Sequence, residues 1–373
     1  MSSSTAPNHL AHRAVPFRAP TPAFRLGQRP VLDGVRAFAV LVVMAHHAHI
    51  PFFKGGNIGV DIFFVLSGFL ITTLLFEEWN NTSNISFRKF YVRRALRLLP
   101  ALAILLVFVE VYTLVILRGP RFWEVQKAIG VVLFYVSNWV SILNPGGLGP
   151  LSHAWSLSIE EQFYLLWPPV LFFLLRARLR SRRIVIVIAA LAAIAAIHRY
   201  LIWTGPPSEW RIYNGLDTRI DELLAGCSLA AALVAGWLNA RPLRLLVRYA
   251  YIPAIAFILF LVVKSLSPAT MYKFGWPAVE LALVTILYRL VGWGQTFMHR
   301  VLELPPFVWI GRLSYGLYLW HFPLFEKVGG WKTLGRFVIP TSFAITFLVA
   351  ILSYYFVEKP FLRLKLRFTS GQQ

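Results

Sequence analysis

The sequence contains a single cysteine, Cys227, in 373 residues, and few of its side chains are charged. One thiol excludes a disulfide framework within the chain and a metal site built from several cysteines. Because Cys227 lies inside an apolar run, we interpret it as a small core residue. Charged residues make up 14% of the chain, compared with about 25% in soluble globular proteins. Since 57% of the residues are hydrophobic, the composition argues against a soluble fold.

The apolar residues are grouped in long blocks and not in amphipathic stripes. A run of about 20 apolar residues is long enough to cross the hydrocarbon core of a membrane as a helix. The sequence therefore predicts an all-α integral membrane protein, a bundle of about ten transmembrane helices with no room for a second, soluble domain. The predicted spans are residues 31–50, 58–78, 98–118, 157–175, 184–203, 216–237, 247–264, 275–292, 307–327 and 335–357.

One apolar stretch, residues 128–143 (AIGVVLFYVSNWVSIL), is too short to be an ordinary span. If it crossed the membrane, the loop at 176–183, which carries five arginines, would lie outside the cell. We therefore predict a re-entrant or interfacial segment. The following residues, 144–150, are rich in glycine and proline and predict a turn-rich linker.

Lysine and arginine outnumber aspartate and glutamate by 37 to 16, which gives a net charge of +21. In a soluble protein this charge would suggest binding to nucleic acid. With the N-terminus in the cytoplasm, the cytoplasmic side holds roughly twice as many basic residues as the opposite side, in agreement with the positive-inside rule. We therefore predict a multi-pass protein of the inner (plasma) membrane with both termini cytoplasmic. Its basic residues then set the orientation of the helices in the membrane and contact anionic lipids. We predict no nucleic-acid partner.

The predicted organisation has three parts. Residues 1–30 are polar and rich in proline, alanine and arginine, which predicts a disordered cytoplasmic tail. Residues 31–360 form the transmembrane domain, and residues 361–373 form a short cytoplasmic tail.

Ionisable residues inside membrane spans are energetically costly and usually mark a pathway or a site. Arg36 and His47 lie eleven residues apart in the first span, so they share one helical face and are separated by about 16 Å. His46 lies about 80° from that face, which favours His47 as the functional histidine. The alternative is that Arg36 is an interfacial anchor and that His46, His47 and His49 are interfacial histidines.

Glu160 and Glu161 lie near the start of the fourth predicted span, at a depth similar to that of His47. A carboxylate beside a histidine fixes the tautomer of the imidazole and stabilises the cation that forms when it accepts a proton. This arrangement predicts that Glu160 orients His47 as a general base. The alternative is that the two acids interact with the N-terminal dipole of a helix.

Arg93, Arg94 and Arg97 lie at the cytoplasmic start of the third span with helical spacings of three and four residues. Arginine forks match the geometry of phosphate groups, and Arg36 lies at a similar depth. The four residues are candidates for a phosphate-binding cluster. The alternative is an ordinary belt of positive charge on the cytoplasmic side.

Other polar residues give weaker signals. Arg219 in the sixth span is predicted to form an ion pair with Asp217 or Asp221. Ser314, Tyr318 and His321 share one face of the ninth span, which predicts that this face points into the bundle. Asp61 lies at the outer entrance of the second span, where Ser67 and Gly68 follow and allow close helix packing.

The residues singled out above lie within or close to seven short sequence motifs that follow one another along the chain. They are LDGVRAFAVLVVMAHH, GVDIFFVLSGFLITTLL, FYVRRALRLLP, WSLSIEEQFYLLWP, TRIDELLAGCSLA, LSYGLYLWHFP and VEKPF. From about residue 30 to 365 the chain resembles membrane acyltransferase family 3. Members of this family are O-acyltransferases with about ten transmembrane helices, and they modify hydroxyls of surface carbohydrates and related acceptors.

The resemblance implies roles for individual residues. Arg36 and His47 match the arginine–histidine pair of the family, and Glu160 matches its acidic residue after Trp-Ser-Leu. The family's arginine cluster matches Arg93, Arg94 and Arg97. These arginines are expected to hold acyl-CoA, with acetyl-CoA as the default co-substrate, and His47 is expected to act as base or acyl relay. No permanently bound cofactor and no metal are expected.

The resulting hypothesis is transfer of an acyl group from cytoplasmic acyl-CoA to a hydroxyl of a carbohydrate or lipid-linked sugar. Candidate acceptor-binding residues are Asp61, Asp217, Arg219, Asp221, Ser314, Tyr318 and His321. The alternative is a transporter or flippase, which would also carry ionisable groups inside its spans but often shows paired halves, and none is evident here. The sequence does not identify the acyl group, the acceptor or the oligomeric state. It also leaves open whether His46 or His47 is the base and whether transfer is direct or passes through a covalent acyl-enzyme.

Overall fold

The structure is a computed structural model that describes residues 24–292, 294–330, 332–366 and 368. The predicted disordered tail therefore lies mostly outside the described residues. Every regular element within the described ranges is helical and none is a strand, which confirms the all-α class.

The first half of the bundle contains nine helices. They are α1 Pro30–His47, α2 Ile58–Thr82, α3 Phe87–Ile116, α4 Pro120–Leu133, α5 Ser137–Leu143, α6 Trp155–Arg176, α7 Ser181–Ile202, α8 Glu209–Asn214 and α9 Leu216–Val234. The second half follows with α10 Arg241–Val263, the single turn α11 Pro268–Thr270, α12 Trp276–Gly292, α13 Phe297–Leu302, α14 Pro305–Gly329, α15 Val338–Ser353 and α16 Lys359–Leu366. Wider π turns at Met271–Gly275 and Tyr354–Glu358 join α11 to α12 and α15 to α16.

Seven helical segments of the described chain are long and apolar enough to cross a membrane. They are α1, α2, α3, α7, α10, the continuous segment Pro268–Gly292 and the segment Thr333–Leu364. On α3, Val107, Val111 and Val115 are more than half exposed, as expected for side chains that contact lipid. Length and apolarity thus support a multi-pass membrane protein with seven candidate spans.

The other three predicted spans coincide with α6, α9 and α14, which are 22, 19 and 25 residues long. These helices do not belong to the seven because they bring polar side chains into the bundle, such as Glu160 on α6 and Arg219 on α9. Helix α14 packs against α1, and α9 packs against α2 and α7. Both helices bury polar side chains in these contacts, among them Arg219 on α9 and His321 on α14.

Residues 128–143 do not form one helix. Helix α4 ends at Leu133, and α5 begins at Ser137, with Tyr135 in a left-handed backbone conformation between them (φ 53°). Helix α4 packs on α3, whereas α5 packs on α6 and α8. The segment is thus a broken helix on the flank of the bundle, and its position relative to the membrane stays a prediction.

Glycines allow a close helix contact in the core, between α2 and α9. A Cβ atom on Gly68 would lie 1.9 Å from the carbonyl oxygen of Leu223, and a Cβ on Gly226 would lie 2.0 Å from that of Val65. No side chain fits at either position, so the two backbones approach closely. The packing role predicted for Gly68 is confirmed.

The last described helix packs against the start of the third helix. Helix α16 packs on α3 and directs part of the predicted C-terminal tail, residues 361–366, back onto the bundle. This contact brings Lys359 and Arg363 to the same cavity as the arginines of α3.

Candidate active site

A cavity of about 640 Å³ lies between α1, α2, α3, α6, α14 and α16. Six basic side chains and two acidic side chains line it: Arg36, Arg93, Arg94, Arg97, Lys359 and Arg363, with Glu78 and Glu160. The structure therefore brings together all four arginines of the predicted phosphate-binding cluster. The excess of positive charge makes the cavity suited to an anionic ligand.

Neighbouring side chains hold three of these arginines. Arg93 donates through Nη2 to Glu78 Oε2 at 3.2 Å, and Arg36 donates through Nη1 to Asp33 Oδ1 at 3.1 Å. The guanidinium of Arg94 lies 4.0 Å from the ring centre of Tyr164. A guanidinium carries five N–H donors in a planar fork, so one partner orients it and leaves other donors for a phosphate.

Glu160 also lines the cavity, and its hydrogen bond comes from Ser67 Oγ, 2.5 Å from Glu160 Oε1. The predicted interaction with His47 is absent from the contacts of the described chain, because His47 is instead hydrogen-bonded to His321. Depth along the bundle, on which the prediction rested, does not specify which helix faces which. Ser67, interpreted from the sequence as a packing residue, thus has a polar partner as well.

Three histidines form a cluster next to the cavity. His47 Nδ1 lies 3.1 Å from His321 Nε2, and His321 Nδ1 lies 2.6 Å from the carbonyl oxygen of Tyr318. His153 Nε2 donates to the carbonyl oxygen of Leu319 at 3.1 Å, while its Nδ1 is buried without a hydrogen-bond partner. His321 is fully buried, whereas His47 is partly exposed.

Tyr318 and Ser156 separate this cluster from the cavity. Both residues line the cavity, and their hydroxyl oxygens lie 2.6 Å apart. The ring centre of Tyr318 is 5.4 Å from that of His321 and 5.6 Å from that of His153. His47 and His321 are absent from the cavity wall, so one layer of side chains lies between them and the arginine-lined space.

The two candidate histidines of the first span have different hydrogen-bond partners, although their ring centres lie 5.3 Å apart. His46 Nδ1 lies 3.2 Å from the carbonyl oxygen of Phe53 in the loop that follows α1. His47 turns toward α14, where its ring centre is 5.0 Å from that of His321 and 5.1 Å from that of Phe322. The geometry therefore favours His47 over His46, as the helical spacing predicts.

The predicted ion pair of Arg219 with Asp217 or Asp221 is wrong. Arg219 donates to Asp61 Oδ1 at 2.6 Å and pairs with Glu222 Oε1 at 3.0 Å. Residues two positions apart lie about 200° around a helix, so both aspartates point away from Arg219, whereas Glu222 three positions on shares its face.

The two aspartates of α9 pair with other helices. Asp221 forms a buried ion pair with Arg199 of α7. Asp217 accepts hydrogen bonds from Arg211 at 2.5 Å and from His198 at 2.8 Å. Of the candidate acceptor-binding residues, Asp61, Asp217, Arg219 and Asp221 thus belong to ion pairs that join helices, Ser314 and Tyr318 line the cavity, and His321 belongs to the histidine cluster.

Sequence reasoning missed several residues of the site. His153 lies in the linker that precedes α6, where no periodicity marks a functional position. Lys359 and Arg363 were not among the predicted site residues, although their spacing of four residues places both on one face of α16. Glu78 is the last residue of the predicted second span, and only the folded chain shows that it reaches Arg93. No group of three or more potential metal ligands occurs among the described residues.

Comparisons with known proteins agree with this geometry. The profile of the acyltransferase domain of family 3 matches residues 29–358. The peptidoglycan O-acetyltransferase OatA of Listeria monocytogenes is 33% identical over 352 residues, which cover 89% of this chain and 55% of that protein. YrhL of Bacillus subtilis, provisionally named for the same activity, is 36% identical over 347 residues, which cover 89% of this chain and 54% of YrhL.

A Staphylococcus aureus protein provisionally named as an O-acetyltransferase is 35% identical over 347 residues, or 89% of this chain and 57% of that protein. The chain thus spans about half the length of the curated relatives it matches. No solved structure matches the chain. Because the family profile covers most of the sequence, residues 29–358, the chain belongs to membrane acyltransferase family 3.

Proposed function

We propose that this protein transfers an acyl group, by default acetyl, from acyl-CoA to a hydroxyl group of a carbohydrate acceptor. The observation that carries the proposal is that one cavity contains the arginines together with Tyr318 and Ser156, with a histidine cluster directly behind these two residues. A cavity that is basic at one end and hydroxyl-lined at the other fits a long donor with phosphates at one end and a thioester at the other.

The donor end of the site consists of Arg93, Arg94 and Arg97 on α3 with Lys359 and Arg363 on α16. Bidentate contacts between arginine and phosphate are short, strong and directional. The pyrophosphate and the 3′-phosphate of CoA provide several such partners. In this proposal the pantetheine arm runs along α1 from Arg36 toward His47, a distance of about 16 Å by helical rise.

The chemical step belongs to His47 in this proposal. His47 accepts the proton of the acceptor hydroxyl, whose oxygen then bonds to the acyl carbon while the carbon–sulfur bond breaks. The CoA thiolate leaves and takes up a proton. Because Tyr318 and Ser156 separate His47 from the cavity, their side chains must move apart when the donor arm enters.

The membrane arrangement follows from the same proposal. Adding α6, α9 and α14 to the seven apolar segments gives ten spans, with the loop at 176–183 and both termini in the cytoplasm. This orientation satisfies the positive-inside rule and opens the arginine end of the cavity to cytoplasmic acyl-CoA. The acceptor then enters from the opposite side of the inner membrane.

The acceptor class is supported by the relatives. OatA of Listeria monocytogenes is named for O-acetylation of peptidoglycan, and 55% of its length aligns with this chain. We propose the same class of acceptor for this chain, a hydroxyl group of a carbohydrate. The carbohydrate is free, polymeric or lipid-linked.

The proposal is tested with purified protein in liposomes by measuring the release of free CoA from acetyl-CoA. We expect wild type to release CoA, even by slow transfer to water, and His47→Ala to lose about 100-fold or more because the general base is gone. His299→Gln is the matched control, since His299 is a buried histidine that bonds to Thr296 and Leu290. A wild-type protein that consumes no acetyl-CoA would overturn the proposal and favour transport.

A further inference from the structure

The histidine cluster contains a hydrogen-bond chain whose direction is fixed at one end. The carbonyl oxygen of Tyr318 lies 2.6 Å from His321 Nδ1, and a carbonyl can only accept. His321 Nδ1 therefore carries a hydrogen. In a neutral imidazole the other nitrogen is then an acceptor, so His321 Nε2 accepts the hydrogen bond that links it to His47 Nδ1 at 3.1 Å.

The same reasoning assigns the proton of His47. If His321 Nε2 accepts, His47 Nδ1 donates, and the neutral His47 ring has no hydrogen on Nε2. Within the described part of the chain, the hydrogen bond between His47 and another side chain goes through Nδ1 and none goes through Nε2, and the His47 ring is partly exposed. This series of hydrogen bonds thus leaves an available lone pair on His47 Nε2, the ring nitrogen that faces away from His321.

The opposite direction would require a doubly protonated His321. That ring is fully buried, and the rings nearest to it belong to His47, His153, Tyr318 and Phe325. No ion pair with a carboxylate involves His321 among the described residues. Burial of an unpaired charge is strongly unfavourable, so the neutral form with its hydrogen on Nδ1 is the stable one.

We propose that His321 is the positioning residue that holds His47 in the tautomer with a free Nε2, the form able to accept a proton from the acceptor hydroxyl. This inference rests on the proposed function, in which His47 is the general base. It gives to a neutral histidine the orienting role that the sequence assigned to Glu160. The hydrogen bond from His47 Nδ1 also supports the imidazolium that forms after proton transfer, since Nδ1 keeps its hydrogen in both states.

The experiment compares His321→Leu, which removes the acceptor, with His321→Gln, whose amide oxygen can accept from His47 Nδ1. Nitrogen-15 NMR of histidine-labelled protein in liposomes reports which ring nitrogen carries the hydrogen, and the His47→Gln spectrum identifies the His47 signals. We expect His47 with an unprotonated Nε2 in wild type and in His321→Gln. In His321→Leu we expect a substantial fraction of His47 with its hydrogen on Nε2.

The turnover of acetyl-CoA supplies the second measurement. We expect His321→Leu to lower kcat for CoA release by about tenfold or more, because much of His47 is in the wrong tautomer, with the affinity for CoA unchanged. His321→Gln should recover most of that loss, and His299→Gln should match wild type. Equal thermal stability of the variants confirms that they fold.

Two results would overturn the positioning role: a wild-type His47 with its hydrogen on Nε2, or a His321→Leu variant with the wild-type tautomer ratio and kcat. A wild-type protein without CoA release would instead contradict the proposed function. The spectra would then still decide whether His321 fixes the tautomer of His47, so the two failures are distinguishable.

Discussion

Charged side chains inside the bundle neutralise one another, and Arg219 shows how. Its exposed fraction is 1%, and its partners Asp61 and Glu222 are also buried. The ring centre of Trp276 lies 4.0 Å from its guanidinium, so aromatic surface completes the enclosure. An enclosed ion pair is tolerated only while both partners are present.

Replacing Arg219 by leucine should therefore destabilise the protein by about 3–5 kcal/mol, because two buried carboxylates lose their counter-ion. The measurement is the free energy of unfolding in detergent with increasing denaturant. Arg211→Leu is the control, since Arg211 and its partner Asp217 are each about one-third exposed. Removing that pair should cost less than about 1 kcal/mol. Equal losses for the two variants would contradict the structural role given to Arg219.

The sequence predicted the residue types of the site better than their partners. Helical spacing grouped Arg93, Arg94 and Arg97, and it separated His47 from His46, because both are properties of one helix. The partner of His47 is on α14, about 270 residues away, and that of Glu160 is on α2. Such pairs depend on how distant helices face each other, which periodicity within a helix does not encode.

At the scale of elements, the contact between α2 and α9 depends on glycine. The carbonyl oxygens of Leu223 and Val65 occupy the space that side chains on Gly68 and Gly226 would need. This contact aligns α2, which carries Asp61 and Ser67, with α9, which carries Arg219. The ion pair between Asp61 and Arg219 therefore depends on the close approach of two backbones.

We expect Gly68→Ala to destabilise the protein by about 1–3 kcal/mol, since the methyl group forces the two helices apart. Gly130→Ala is the matched control, because a Cβ there would meet open space within α4. That change should be neutral or stabilising by up to about 1 kcal/mol, as alanine favours a helix over glycine. The midpoint of thermal unfolding in detergent compares the two variants. A Gly68→Ala protein as stable as wild type would show that the contact is looser than described.

Hydropathy predicted where the long helices lie, and its signal was weakest for α6, α9 and α14. The seven apolar segments are recognisable without the structure, while α6, α9 and α14 are less apolar because they carry the polar residues of the interior. The break between α4 and α5 and the return of α16 to α3 were not predicted. Both depend on contacts that are distant in sequence.

At the scale of the whole molecule, the fold brings the arginine cluster, two hydroxyl groups and the histidine cluster next to one another. Basic side chains from α1, α3 and α16 line one cavity together with Tyr318 and Ser156. The histidine cluster lies directly beyond. A donor that enters between the arginines would thus have its reactive end nearest the histidines.

The central claim, that this cavity holds acyl-CoA through its arginines, is tested most directly by calorimetric titration of CoA into the protein in detergent. We predict measurable binding by wild type and about tenfold or greater weakening in Arg94→Gln/Arg97→Gln, since each lost arginine–phosphate contact is a charge-assisted hydrogen bond. Arg182→Gln, which removes an exposed arginine in the first turn of α7, should bind as wild type does. Wild-type affinity in the double variant, or no binding by any form, would contradict the claim.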